Sequence, residues 1–119
     1  MTCIDPTQLP PEARAALDAL TESARLHAAA ARREMALERV RPVLKHQAIV
    51  RIMATGLNPT TGKAFSYTSA EALSESDPEY AQHLAQLREA VAERILASAE
   101  QRAAELLAEY LVYAPRRAA

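Results

Sequence analysis

Gly56-Leu57-Asn58-Pro59-Thr60-Thr61-Gly62-Lys63-Ala64-Phe65-Ser66-Tyr67 is the stretch whose reading decides the fold. It carries both glycines of the 119-residue chain and its one phenylalanine, and long Ala/Leu/Arg/Glu segments flank it on both sides. Asn58 can start a turn through its side chain, Pro59 presets φ for the next position, and Gly62 can leave the turn at positive φ. Met53, Thr55 and Leu57 alternate with small residues before the turn, and Phe65 and Tyr67 alternate with Ala64 and Ser66 after it. Two readings follow: a short β-hairpin leaning on helices, or an ordered loop pinned by Phe65 and Tyr67. Either way the stretch is a corner between two helical arms. The fold class expected is all-α: one domain, a long helical hairpin or small bundle, with arm one over about 11–54, the corner over 55–77 and a last helix over about 78–113.

In arm one, Pro11 suits the first helical turn and Glu12 suits its positive dipole end. Ala13, Leu17, Leu20, Ala24, Ala28, Ala31 and Met35 follow at steps of three or four, a narrow alanine-rich stripe that a partner helix can approach closely. Pro42 cannot donate to the Glu38 carbonyl, so a kink or break is expected there. Beyond the corner, Thr68 and Glu71 have the spacing of a capping box, which predicts a short helix over about 69–74. Asp77 then reads as an N-cap with Pro78 at the first helical position. In the last helix Tyr80, Leu84, Leu87, Val91, Ile95, Ala99, Ala103, Leu106, Tyr110 and Tyr113 form one line whose mean step is about 3.67, an eleven-residue period that imposes no left-handed supercoil. Leu96, Leu107, Leu111 and Val112 fall off that line as a second apolar patch. They call for a third layer, either arm one folding back at Pro42 or a second copy of the chain, so self-association and a homo-oligomer are expected. The stop before Pro115 and a frayed tail complete the reading.

Residues 32–51 carry six cations against two carboxylates, net +4, whereas the last helix carries six Glu against three Arg, net −3. An antiparallel pairing lays these opposite signs side by side. Exposed pairs of this kind are worth about 0–1 kcal/mol each, so they select an alignment more than they stabilise it.

Composition narrows the function. The formal net charge of −1 calls for neither DNA nor an acidic membrane. No apolar run reaches the roughly 18 residues of a membrane span. The N-terminus lacks the basic and apolar regions of a signal peptide, so a soluble, cytoplasmic protein is expected. Cys3 is the only cysteine, which leaves no intramolecular disulfide and no cysteine zinc site.

Gly56, Gly62, Lys63 and Ala64 approach a phosphate-binding loop, but five residues separate the glycines where four are required, and Ala64 has no hydroxyl for magnesium. Glu79 and His83 sit one helical turn apart, and an antiparallel hairpin brings His46 near them, a three-ligand set for zinc. A surface Glu–His pair is the ordinary alternative. No nucleophile–base arrangement stands out, so neither enzymatic activity nor a cofactor is expected. Arg32, Arg33, Arg39, Arg41 and Lys45 could meet nucleic-acid phosphates, although at helical spacing they ring the arm instead of lining one face. The corner residues Asn58, Lys63, Phe65 and Tyr67 are the candidates for contact with a protein partner.

The string Asn58 to Ser66, followed by Ser69-Ala70-Glu71 and Asp77-Pro78-Glu79-Tyr80, resembles small helical proteins carried by phages and prophages of GC-rich bacteria. The resemblance covers about residues 53–95. It implies a small accessory binding protein, of the kind found near recombination or early genes, and it supplies no catalytic residues.

Overall fold

A computed structural model describes residues 9–113. The lead-in with Cys3, the stop before Pro115 and the Arg116–Arg117 tail lie outside the described residues. Helix α1 spans Pro11–Ala54, α2 spans Tyr67–Ala72, a 3₁₀ turn spans Ser74–Ser76, and α3 spans Pro78–Ala108 and continues as a π-helical turn, Glu109–Tyr113. The protein is all-α. Among the described residues no strand forms, and no helix is long and apolar enough to cross a membrane.

The chain packs as two compact units. One comprises Met1–Ala31 with Ala92–Ala119, and the other Arg32–Val91. In the first unit the inward positions of α1 are Ala13, Ala16, Leu20, Ser23, His27 and Ala30, and those of α3 are Ala97, Gln101, Ala104, Ala108 and Leu111. His27 Nδ1 and Gln101 Oε1 lie 2.7 Å apart, a bond in which the ring N–H donates. In the second unit Leu37, Arg41, Leu44 and Ala48 face inward on α1, and Tyr80, His83, Leu87 and Ala90 on α3. There His83 Nε2 donates to the Leu37 carbonyl at 2.8 Å, and Arg51 meets Asp77 at 2.7 Å. Sequence numbers rise along one helix as they fall along the other, so the two run antiparallel in this unit.

These inward positions step by three and four alternately, a seven-residue repeat. The eleven-residue line expected for the last helix therefore holds only at its start. Tyr80, Leu84, Leu87 and Val91 are buried or half-buried, but Ile95, Ala99, Ala103, Leu106 and Tyr110 are exposed. The physical reason is backbone approach. Small residues at Ala97, Ala104 and Ala108 admit a neighbouring helix more closely than the large side chains do, so the small face turns in.

Three further expectations change. α1 runs through Pro42 without a break, and arm one does not fold back there. Pro42 and Glu38 are both exposed, so the carbonyl that loses its amide partner sits on the solvent side, where water can satisfy it. The short helix starts at Tyr67, with Ser66 as its N-cap. The Ser66 hydroxyl accepts from the Ser69 amide at 3.1 Å, and Ser69 Oγ accepts from the Ser66 amide at 2.9 Å, so the reciprocal box is two residues earlier than Thr68–Glu71 and uses a serine at its third position. At the corner the β-hairpin reduces to one isolated antiparallel bridge between Leu57 and Ala64, and the ordered-loop alternative holds. Asp77 does cap α3: its carboxylate accepts from the Tyr80 amide at 3.1 Å.

Candidate interaction site

The corner is held by its own backbone. The Asn58 amide donates to the Lys63 carbonyl at 2.7 Å, and the Gly62 amide donates to the Asn58 carbonyl at 2.7 Å. Asn58 Oδ1 accepts from the Thr60 amide at 3.0 Å, the side-chain turn its sequence position predicts. Gly62 has φ +69°, which an L side chain adopts at a cost. Asn58 is buried and its amide group is engaged inside the turn, so it shapes the corner instead of presenting itself. Phe65 is half-buried, as a pin for the loop should be. Lys63 and Tyr67 are exposed.

Tyr67 does not stand alone. Its ring lies 6.3 Å from that of His46, centroid to centroid, tilted by 35°. His46 belongs to an outward line on α1, Val43-His46-Val50-Met53, whose steps of three and four keep it on one side of the helix. Val43, Val50, Met53 and Tyr67 are 56%, 51%, 40% and 49% exposed. The same line continues toward the N-terminus through Arg39 and Arg32, both exposed. Sequence reasoning found Tyr67 but missed Val43, Val50 and Met53. The seven-residue rhythm of Leu37, Arg41, Leu44 and Ala48, which face inward, was the signal that would have placed them outside.

Behind the corner Arg51 forms a bidentate pair with Asp77, at 3.0 and 2.7 Å, and also reaches Glu79 at 3.3 Å. The Arg51 guanidinium, helped by the Tyr80 and Glu79 amides and opposed by partial desolvation, holds the Asp77 carboxyl below the usual carboxylate range. This clamp ties the end of α1 to the start of α3. It also uses Glu79, one of the three candidate zinc ligands. His83 is buried with Nε2 on the Leu37 carbonyl, and His46 is exposed beside Tyr67. The three do not converge, and no group of three metal-ligating side chains gathers among the described residues.

An open cleft of about 590 Å³ is lined by Arg41, Lys45, Thr68, Glu71, Ala72, Ser74, Glu75, Tyr80 and Leu84. Ser74 and Arg41 in its lining are already engaged. Ser74 donates to the Glu71 carbonyl at 2.8 Å, and Arg41 bonds Glu38 at 2.8 Å. Glu38, with the Tyr80 hydroxyl, keeps the Arg41 guanidinium firmly protonated. Of the five cations considered for nucleic acid, Arg41 and Lys45 therefore sit half-buried at the cleft, while Arg32, Arg33 and Arg39 are exposed on α1. They do not form one phosphate-binding row.

The residues expected for self-association also divide. Leu96 and Leu107 are 60% and 50% exposed, whereas Leu111 and Val112 are half-buried. No family model, curated protein or solved structure matches this chain.

Proposed function

We propose that the protein is a non-enzymatic interaction protein, of the small accessory type carried by phages, that binds another protein through the outward side of α1 and the corner. The observation that carries this reading is the exposed row Val43, His46, Val50 and Met53 with Tyr67 packed against it. Apolar side chains in such a row, on a frame fixed by hydrogen bonds and the Arg51–Asp77 clamp, form a preorganised contact. Tyr and Met are favoured at such surfaces because each offers large, adaptable area. Arg32 and Arg39 at one end favour a partner segment whose apolar anchors are flanked by acidic residues.

The test is affinity capture from nuclease-treated lysate with the native chain and with Val50→Asp/Tyr67→Ala, followed by cross-linking to locate the contact. A partner retained by the native chain, lost by the variant and cross-linked near Lys63 supports the reading. Capture unchanged in the variant refutes it. Retention that disappears on nuclease treatment, with a gel-shift that weakens steeply with salt, would instead favour the nucleic-acid alternative through Arg32, Arg33 and Arg39.

A further inference from the structure

The unit formed by the start of α1 and the end of α3 half-buries Leu17, Leu20, Leu111 and Val112 and leaves the other large apolar side chains of α3 outside. Among its described residues only Ala13, Ala16 and Ala108 are buried. Ile95, Leu96, Leu106, Leu107 and Tyr110 are 56%, 60%, 50%, 50% and 72% exposed, and they share the outer side of α3 with the exposed Ala99 and Ala103. Three buried alanines and a few half-buried leucines remove little apolar surface from water for two helical segments held against their conformational entropy. The missing burial has to come from the outer side.

We infer that this face of α3 is a self-association surface that packs against the same face of a second copy of the chain. Two observations favour a copy over an unrelated protein. The need for cover is permanent, since the unit's own core is thin, and a second copy is the partner always made with the chain. The face is also self-complementary. Antiparallel pairing about a two-fold axis near Arg102 and Ala103 sets Leu106 against the partner's Ala99, and Ile95 against the partner's Tyr110, so that large side chains meet small or flat ones. The area is adequate. A large aliphatic side chain offers roughly 100 Å² and a tyrosine roughly 200 Å². At the observed exposures the five large residues supply roughly 350 Å² per copy, or 700 Å² from two. The apolar share of an interface at the lower end of the standard range, about 1,200 Å² in total, is about 700 Å². This surface is separate from the row on α1, and the two stand or fall independently.

Sedimentation velocity of the full chain from about 1 to about 200 µM should give twice the chain mass at the upper end. Leu106→Glu/Tyr110→Glu should weaken the dimer by about 100-fold or more. In a Cys3→Ser background, Ala103→Cys should form an interchain disulfide under mild oxidation, and Ala29→Cys, exposed on α1 of the same unit, should not. A chain that stays monomeric throughout the range overturns the inference. So does a dimer that the double variant leaves intact, or an Ala103→Cys chain that cross-links no faster than the Ala29→Cys control. If the double variant loses its helical circular dichroism, the disulfide comparison decides, because it leaves every large apolar side chain of the face in place.

Discussion

Ile49 and Val50 are neighbours on α1, both β-branched, and the structure treats them oppositely: Ile49 is 1% exposed and Val50 is 51% exposed. Replacing each with alanine gains the same small increment of helix propensity. The losses differ. Ile49→Ala removes three buried carbons, about 2.4 kcal/mol at 0.8 kcal/mol each, and leaves a cavity that raises the cost to about 3–4 kcal/mol. Ile49 and Ser74 are the largest fully buried side chains, so few neighbours stand ready to fill the space. Val50→Ala should change stability by less than about 0.5 kcal/mol. For a chain of this size about 1 kcal/mol moves the melting temperature by roughly 4 °C, so Ile49→Ala should melt about 12 °C lower and Val50→Ala within about 2 °C of the native chain. Thermal and urea unfolding followed by circular dichroism, at one fixed protein concentration, reads both. Equal shifts for the two variants would refute the assignment of Ile49 to the core and, with it, the inward face of α1.

Other consequences follow from the clamp, the corner and the caps. The Asp77 carboxyl is held below its ordinary range, so its stabilisation is complete above the unfolded-state value near 3.9 and is lost as pH falls through the lower folded value; Asp77→Asn should flatten that acid limb of a stability–pH curve while leaving the neutral-to-alkaline limb parallel. At Gly62 a β-carbon would meet nothing within 4 Å, so Gly62→Ala should cost only the backbone strain of φ +69°, about 1–2 kcal/mol, and Gly62→Asn less, measured by urea denaturation. Ser66→Ala removes the oxygen that caps α2 and should cost about 1 kcal/mol, whereas Thr68→Ala, at an exposed position inside the helix, should be close to neutral in the same assay.

The ends of the elements were legible because each is set by local chemistry. Pro11, Asp77-Pro78 and the glycine after Thr55 act on their immediate neighbours, and α1 and α3 begin where those signals stand. The facing of the helices was less legible. Up to Val91 the seven- and eleven-residue lines nearly coincide, and Tyr80 and Leu87 lie on both; beyond it they diverge, and Ile95 goes to solvent while Ala97 turns in. Side-chain size argued for one line and close helix approach for the other, and only the packed structure weighs them. His83 illustrates the same point. Its sequence neighbours suggested a surface pair with Glu79, but its place between Tyr80 and Leu87 in the seven-residue rhythm carries it inside, to the Leu37 carbonyl.

That histidine has a further consequence. An alanine seam looks much the same one heptad up or down, so two such helices could slide past each other at little cost in buried area. A buried imidazole narrows that freedom: His83 must lie against a main-chain carbonyl, as it does at Leu37, and any slip smaller than a heptad would strand its ring. The His27–Gln101 bond is stricter within its own unit, because its acceptor is a side chain that a shift by a whole heptad would also remove. The chain thus gives up part of its apolar interior in exchange for a single stagger of its helices, the trade that a polar residue at a core position makes in a coiled coil.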